Sequence, residues 1–367
     1  MTITAWLGAL ARNRFAISPS RVPMALIIAG MGLVNSCLAG LQSLIYGRRI
    51  VATEIKEDPI FVVGHWRSGT TLLHELLVCD PRHTYPDTYA CFAPKHFLAT
   101  QWFAVRLLSL LLAPKRPMDN MPFGWNYPQE DEWAIVNMGL PSPYLTMLFP
   151  NRPQQYPEYL DMRGVPPADL DRWKAGVSWF LKCLTLKQPK RIVLKTPLHT
   201  ARIRTLLAMF PKARFVHVVR DPCVIFSSTM HTWRQLYQVE GLQVPTYAGL
   251  EQNVLDTFVR MYEAFDEDIQ ELPPSQLCEV RYEDLVRDMA GEVRRIYDSL
   301  GLDGFEQVVP ALDAYAAKTA SYKPNRYQLP PELRDQVTAR WRKYAEKYDY
   351  GQPSTRSDVD PVGHVNG

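Results

Sequence analysis

The stretch from Pro59 to Leu77 limits the fold more than any other part of the chain. Ile60 to Val63 is a short apolar run, largely β-branched, bounded by Pro59 and Gly64, and it predicts a buried strand. Thr70 and Thr71 precede apolar residues at Leu72, Leu73, Leu76 and Leu77, which is the spacing of a helix. Between strand and helix lies a loop flanked by Gly64 and Gly69. A strand that feeds such a loop into a helix N-terminus makes an anion cradle, because free N–H groups and the helix dipole converge on one point.

The loop resembles a nucleotide-binding P-loop, with one departure. Gly64 and Gly69 have the right separation and Thr71 supplies the closing hydroxyl, but the lysine position holds Thr70. The cation sits three residues earlier, at Arg67. A P-loop NTPase uses its lysine on the β/γ-phosphates and its hydroxyl on magnesium. Keeping the cradle while relocating the charge suits a diphosphate-like anion handled without a triphosphate.

A second α/β stretch follows. Arg191 to Lys195 reads as a strand ending in a lysine, and Ala201 to Phe210 as a helix. Arg214 to Arg220 reads as another strand ending in a cation, with Asp221-Pro222 starting the next helix. Leu277 to Tyr282 is a further strand between amphipathic helices at Leu250 to Ile269 and Gly291 to Leu300, and Pro331 to Tyr348 reads as one charged helix. Alternating strands and helices predict a parallel sheet covered on both faces, with ligands beyond the carboxyl ends of the strands. Three strand ends carry polar groups there: the Gly64–Thr71 loop, Lys195-Thr196 and Arg220-Asp221. The expected fold is therefore α/β, a P-loop-like parallel sheet flanked by helices, with an apolar helix at the N-terminus.

That helix is read from Val22 to Gly47, which carry no formal charge and are long enough to span a bilayer. Asn35, Ser36, Gln42 and Ser43 recur seven apart, which gives it one polar face and favours an interfacial or self-associating helix over a lone span. Arginines on both sides leave its orientation open. Trp102 to Ala113 reads as a second apolar helix, too short to span. Three parts are expected: residues 1–50, membrane-associated; 51–350, the catalytic domain; and 351–367, a Pro/Ser/Asp-rich tail. The six cysteines are scattered without a Cys-x-x-Cys pair, which suggests reduced thiols. The eight histidines form no zinc-spaced cluster, and a net charge of +3 gives no argument for nucleic acid.

Three ordered motifs resemble the sulfotransferases that use 3′-phosphoadenosine 5′-phosphosulfate (PAPS). Arg67-Ser-Gly-Thr-Thr71 after a buried strand looks like their 5′-phosphosulfate loop. Val218-Val-Arg220-Asp-Pro222, with Ser228 eight residues after Arg220, looks like their 3′-phosphate motif. Arg281-Tyr282-Glu-Asp-Leu285 resembles a third element, whose tyrosine lies near adenine. An arginine in the loop is nearer the bacterial and tyrosylprotein branch than the cytosolic branch, which has lysine. The resemblance implies that Arg67, Ser68, Gly69, Thr70 and Thr71 hold the 5′ end, Arg220 and Ser228 the 3′-phosphate, and Tyr282 the base. Lys323 or Arg326 would close over the cofactor. The acceptor would be a hydroxyl or amine of a carbohydrate, lipid, phenol or peptide.

Sulfuryl transfer is an in-line displacement in which charge builds on the leaving oxygen, so positioning and fixed positive charge supply most of the catalysis. Arg67 offers a planar, permanently charged fork, Lys195 can reach the sulfuryl group, and no metal is expected. The acceptor needs a base, and the sequence offers Asp87 or the Glu130-Asp131-Glu132 cluster, with Glu130 as its candidate. A carboxylate enclosed by the Pro/aromatic segment from Lys115 to Pro157 would have the basicity the task requires. His65, His83 and His231 are further candidates to line the site. The expectation is a membrane-associated enzyme with its catalytic domain on the cytoplasmic face. The alternatives are a P-loop kinase or NTPase, which Thr70 argues against, and a non-catalytic membrane scaffold keeping the fold.

Overall fold

A computed structural model describes residues 1–109, 124–319 and 329–350. Two helices open the chain, α1 (Ile3–Arg12) and α2 (Val22–Ala52). Then come β1 (Ile60–Val63), α3 (Thr70–Leu77), the short β2 (His83–Thr84), α4 (Thr88–Phe92), α5 (Phe97–Leu108), α6 (Glu132–Met138) and α7 (Pro167–Lys187). The second half runs β3 (Arg191–Lys195), α8 (Ile203–Met209), β4 (Arg214–Val219), α9 (Pro222–Glu240), α10 (Leu250–Asp268) and β5 (Leu277–Arg281). It ends with α11 (Tyr282–Arg287), α12 (Met289–Leu300), α13 (Val309–Thr319), α14 (Pro331–Arg340) and α15 (Arg342–Lys347).

The five strands are parallel in the order β2-β3-β1-β4-β5. β1 is central: Ile60 pairs with Val193 on one side and Arg214 on the other. All four of its residues are fully buried, as a strand covered on both faces must be. Its side chains alternate between two cores. Phe61 and Val63 join Ile192, Leu194 and Phe215 on one face, and Ile60 and Val62 join Val193, Val216 and Val218 on the other. The chain leaves β1 toward β3 on one side and reaches β4 on the other. The crevice beyond the end of β1 is therefore the point where ligands of open α/β sheets bind.

Two elements differ from the sequence reading. The final charged helix is broken between α14 and α15 at Trp341 (φ −104°, ψ 20°). Trp341 is 1% exposed, stacks on Phe258 with ring centroids 3.7 Å apart, and donates from Nε1 to the Leu255 carbonyl at 3.1 Å. Seating that ring against α10 interrupts the helix. The second apolar helix starts earlier than its hydropathy suggests, at Phe97.

The polar side of α2 faces the protein. Asn35 donates to the Met1 carbonyl and accepts from His96, Ser36 Oγ accepts from the Ile3 amide, and Gln42 Oε1 accepts from the Leu98 amide. Residues 1–50 are thus joined to the rest of the chain at the start of α5. The tail from 351 lies outside the described residues.

The segment from Lys195 to Arg202 is fixed by three consecutive acids. Glu132 and Arg202 are both fully buried, with Nη1–Oε2 at 2.7 Å and Nη2–Oε1 at 3.1 Å. Ser142 donates to the same carboxylate, and Arg202 also donates to the Tyr159 carbonyl. Removing one partner of such a pair leaves a buried charge uncompensated. Glu132→Ala should lower unfolding stability by about 3–5 kcal/mol, read as a shifted urea midpoint. A loss below about 1 kcal/mol, the range of an exposed pair, would show that the pair does not hold this segment.

Candidate active site

The loop after β1 is shaped by two left-handed residues. Arg67 has φ 69° and Gly69 φ 108°. Gly69 must be glycine on two counts. Its φ disfavours a side chain, and a Cβ there would stand 2.2 Å from Cδ2 of Tyr282. The Gly64 amide donates to Thr200 Oγ1 at 2.7 Å, which ties the start of the loop to the segment after β3. α3 then begins at Thr70, so its N-terminus points into the crevice.

Three separate strand ends meet at this loop. Arg67 Nε donates to Ser228 Oγ on α9 at 2.8 Å, and Arg220, just after β4, donates from Nη1 to the Arg67 carbonyl at 3.0 Å. The Arg220 guanidinium lies 3.9 Å from the centre of the Tyr282 ring, and that ring covers Gly69. Asp221 caps α9 by accepting from the Val224 amide at 3.0 Å, which orients the turn bearing Ser228. Tyr344 clamps Arg220 from behind, accepting from its amide and donating to its carbonyl, each at 3.1 Å. Arg67, Gly69, Arg220, Ser228 and Tyr282 thus form one constellation.

The residues present fit an anionic nucleotide end. Two guanidinium groups and a helix N-terminus stand at this loop. Ser68 Oγ is buried there and has no hydrogen-bond partner among the described residues, which is costly unless a ligand supplies one. Lys323 and Arg326 lie outside the described residues.

Lys195 stands beside the loop because Val62 of β1 pairs with it. Its side chain is 3% exposed and its ammonium donates to Glu130 Oε1 at 2.8 Å. The other Glu130 oxygen accepts from the Tyr144 hydroxyl, which itself accepts from Trp66 Nε1 at 3.0 Å. Burial, and then the Glu130 carboxylate, push the Tyr144 phenol well above its ordinary pKa, so it stays a donor. A continuous chain therefore runs from Lys195 through Glu130 and Tyr144 to Trp66, the neighbour of Arg67.

The remaining candidates have other work. Asp87 caps α4 by accepting from the Ala90 amide at 2.8 Å, and its other oxygen accepts from Gln101 and Lys187. Its partners lie on α4, α5 and α7, whereas those of Glu130 are Lys195 and, through Tyr144, Trp66 of the loop. Asp131 accepts from His199 at 2.8 Å and from Thr196 at 3.0 Å. Burial opposes its charge, but those partners outweigh burial and hold its pKa below the usual value. His65 is fully buried behind the loop, donates to the Trp66 carbonyl, and is kept neutral by burial, with its pKa lowered to about 3. His83 bonds the Leu77 carbonyl. Neither lines the crevice.

Sequence reasoning passed over Tyr144, Trp66 and Tyr344. Tyr144 sits in a segment full of aromatics and prolines, where nothing distinguishes it. Trp66 lies inside the loop and could have been given a role from its position alone.

Comparison with known proteins identifies the family and agrees with the fold. A model of the sulfotransferase family matches residues 59–307. Two curated relatives are each 47% identical over 347 residues, 95% of this chain and 89% of theirs. They are the omega-hydroxy-beta-dihydromenaquinone-9 sulfotransferases Stf3 of Mycobacterium bovis and Mycobacterium tuberculosis. Among solved structures, sulfotransferase STF1 from M. tuberculosis has a TM-score of 0.63 at 21% identity, covering 92% of this chain and 90% of its own. Sulfotransferase STF9 from Mycobacterium avium has a TM-score of 0.66 at 18% identity, covering 94% and 96%. With motifs, sheet order and relatives in agreement, the chain belongs to the sulfotransferase family.

Proposed function

We propose that this enzyme transfers a sulfuryl group from PAPS to a hydroxyl on a membrane-borne, lipid-like acceptor. The observation that carries the donor is the meeting of Arg67, Arg220, Ser228 and Tyr282 at one loop. A nucleotide with phosphates at both ends of its ribose needs two cationic contacts a ribose apart. Arg67 with the N-terminus of α3 serves the sulfated end, Arg220 with Ser228 serves the 3′-phosphate, and Tyr282 flanks the base.

The chemistry follows from what sits beside that loop. Glu130 takes the proton of the acceptor hydroxyl as its oxygen attacks sulfur in line. The new O–S bond forms while the S–O bond to adenosine 3′,5′-bisphosphate breaks. Negative charge grows on the departing phosphate oxygen, where Arg67 and Lys195 are already in place. Tyr144 and Lys195 hold Glu130 by both oxygens and fix its aim. Positioning of this kind supplies much of the barrier reduction in group transfer.

Two features favour a lipid-like acceptor. The relatives at 47% identity are named for a hydroxylated menaquinone, so a hydroxyl borne on a long apolar molecule is the natural class here. A cavity of about 400 Å³ lies between α2, the end of α6 and α7, lined mainly by apolar residues such as Ile50, Met138, Leu140 and Trp179, with Lys95 and Arg172 also on its wall. None of the loop residues lines it, so it offers room for hydrocarbon and not for the reacting group. The outer face of α2 supports membrane association. All six cysteines are free thiols, which fits a catalytic domain on the cytoplasmic side.

Isothermal titration should show 3′,5′-ADP binding at least ~10-fold more tightly than ATP, a gap of about 1.4 kcal/mol. Arg220→Ala should erase that preference while Arg67→Ala weakens both ligands. Strong ATP binding with no response to 3′,5′-ADP would instead favour a kinase or NTPase.

Glu130→Gln should reduce kcat by roughly 10²–10⁴ with nucleotide affinity unchanged, and Tyr144→Phe should have a smaller effect in the same direction. Mass spectrometry with ³⁴S-labelled PAPS and a prenyl alcohol gives the readout. An unaltered kcat in Glu130→Gln would remove that residue as the base. Failure of the wild-type enzyme to label any hydroxyl lipid would remove the acceptor class.

A further inference from the structure

We propose that α2 lies flat in the surface of an anionic lipid bilayer, with one face in the hydrocarbon, and does not cross it. The proposal rests on the reading of a membrane-borne acceptor and specifies how the enzyme reaches it.

By length and composition the helical stretch Pro19–Ala52 could be a span, with a mean hydropathy of 1.9 in its most apolar window. Its surroundings argue otherwise. In a water-soluble protein the apolar side of a helix turns inward and the polar side outward. α2 is reversed. Asn35, Ser36 and Gln42 face the protein and bond Met1, Ile3, His96 and Leu98. The outward face carries Leu26 (67% exposed), Ile27, Met31, Val34 and Leu44 (87%), and only 11% of the most apolar window is buried. α5 packs beside α2 and extends this surface with Trp102 (71% exposed), Phe103 and Leu107. Tryptophan at such a margin suits the headgroup region. An apolar area of this extent on a soluble molecule marks an interaction surface.

Spanning is excluded by what is attached to the inner face. α7 packs along α2 and carries Arg172, Lys174, Lys182 and Lys187, and Lys182 donates to the Val51 carbonyl at 3.1 Å. Threading α2 through a bilayer would either break its bonds to α1, His96 and α5 or draw α7 into hydrocarbon, where charged side chains are costly. A helix of 31 residues is also ~46 Å long, well beyond the ~30 Å hydrocarbon core. Laid flat, it needs neither concession.

Charge selects the lipid. The first 50 residues contain five arginines and no acidic residue. Arg12 ends α1 and Arg14 follows it, Arg48 and Arg49 lie near the end of α2, and Arg106 is exposed on α5 beside Trp102 and Phe103. Basic residues around an apolar face are the pattern that binds anionic headgroups. A second copy of this chain would meet the same arginines and be repelled.

The test uses the full chain and unilamellar vesicles, either of phosphatidylcholine alone or with an equal part of phosphatidylglycerol. The wild-type protein should float with the anionic vesicles, and salt should weaken binding. The exposed double variant Leu26→Glu/Leu44→Glu should lose at least ~10-fold in vesicle affinity while turning over a short water-soluble alcohol normally. A nitroxide at exposed Cys37, and at Val22→Cys or Val51→Cys in a Cys37→Ser background, should report one shallow depth at all three positions. Cys37 at the bilayer centre with the other two at opposite surfaces would overturn the in-plane arrangement. A stable dimer in solution that ignores vesicles would overturn the lipid partner. Loss of all sulfuryl transfer with vesicle binding intact would count against the proposed reaction and leave the bilayer contact standing.

Discussion

The left-handed turn at Arg67 is the constraint on which the site depends. A non-glycine residue at φ 69° is disfavoured, and such strain persists only where its surroundings over-determine it. Here Arg220 holds the Arg67 carbonyl, Ser228 holds its side chain, and Thr229 donates to the preceding carbonyl, that of Trp66. All three partners follow β4, so the loop after β1 is kept open by the neighbouring strand's continuation. On the proposed reading of the donor, the same contacts that shape the anion cradle join its 5′ and 3′ halves. A P-loop lysine projecting from the first turn of a helix would not supply that bridge. This gives a physical reason for the displaced cation: an arginine within the loop reaches sideways to α9.

Much of this was legible in the sequence, and the reasons are local. β1, β3 and β4 are covered on both faces, so their apolar runs stand out and their boundaries are sharp. Asp221-Pro222 starts a helix by chemistry that needs no tertiary context, and it fixes the phase at which Ser228 faces Arg67. What escaped depends on distant contacts. The break at Trp341 is set by the stack on Phe258, more than 80 positions earlier. Tyr144 matters only because Trp66 and Glu130 both reach its hydroxyl. Asp87 reads as a free carboxylate until α4, Gln101 and Lys187 are seen to consume it.

The Glu130-Asp131-Glu132 cluster shows how one signal can hold two meanings. Consecutive acids suggest a solvated surface or one shared task. In the structure they pair in order with Lys195, His199 and Arg202. Those partners are four and three residues apart in the segment after β3, so two short stretches are aligned along their length. The gradient of burial along the ladder divides the labour. Glu132 is fully buried, Asp131 is 3% exposed, and the Glu130 side chain is 19% exposed. The inner rungs are closed to solvent, and in the proposed mechanism the outermost, the more open one, receives the substrate proton. Two buried pairs thus set the position of a third that can react.

The reversed amphipathicity of α2 belongs to the same logic of position. Asn35, Ser36 and Gln42, which seven-residue spacing singled out, bond the rest of the protein, and in the proposed arrangement the exposed apolar face meets lipid. α2 bonds the Leu98 amide of α5, and α5 follows α4, whose cap Asp87 pairs through its backbone with Pro128, two residues before Glu130. A short covalent and hydrogen-bonded path therefore links the apolar surface to Glu130, the proposed base. An acceptor dissolved in the bilayer has few ways to present its hydroxyl to a water-soluble nucleotide. Holding the crevice at a fixed height above the lipid reduces that search to diffusion in a plane.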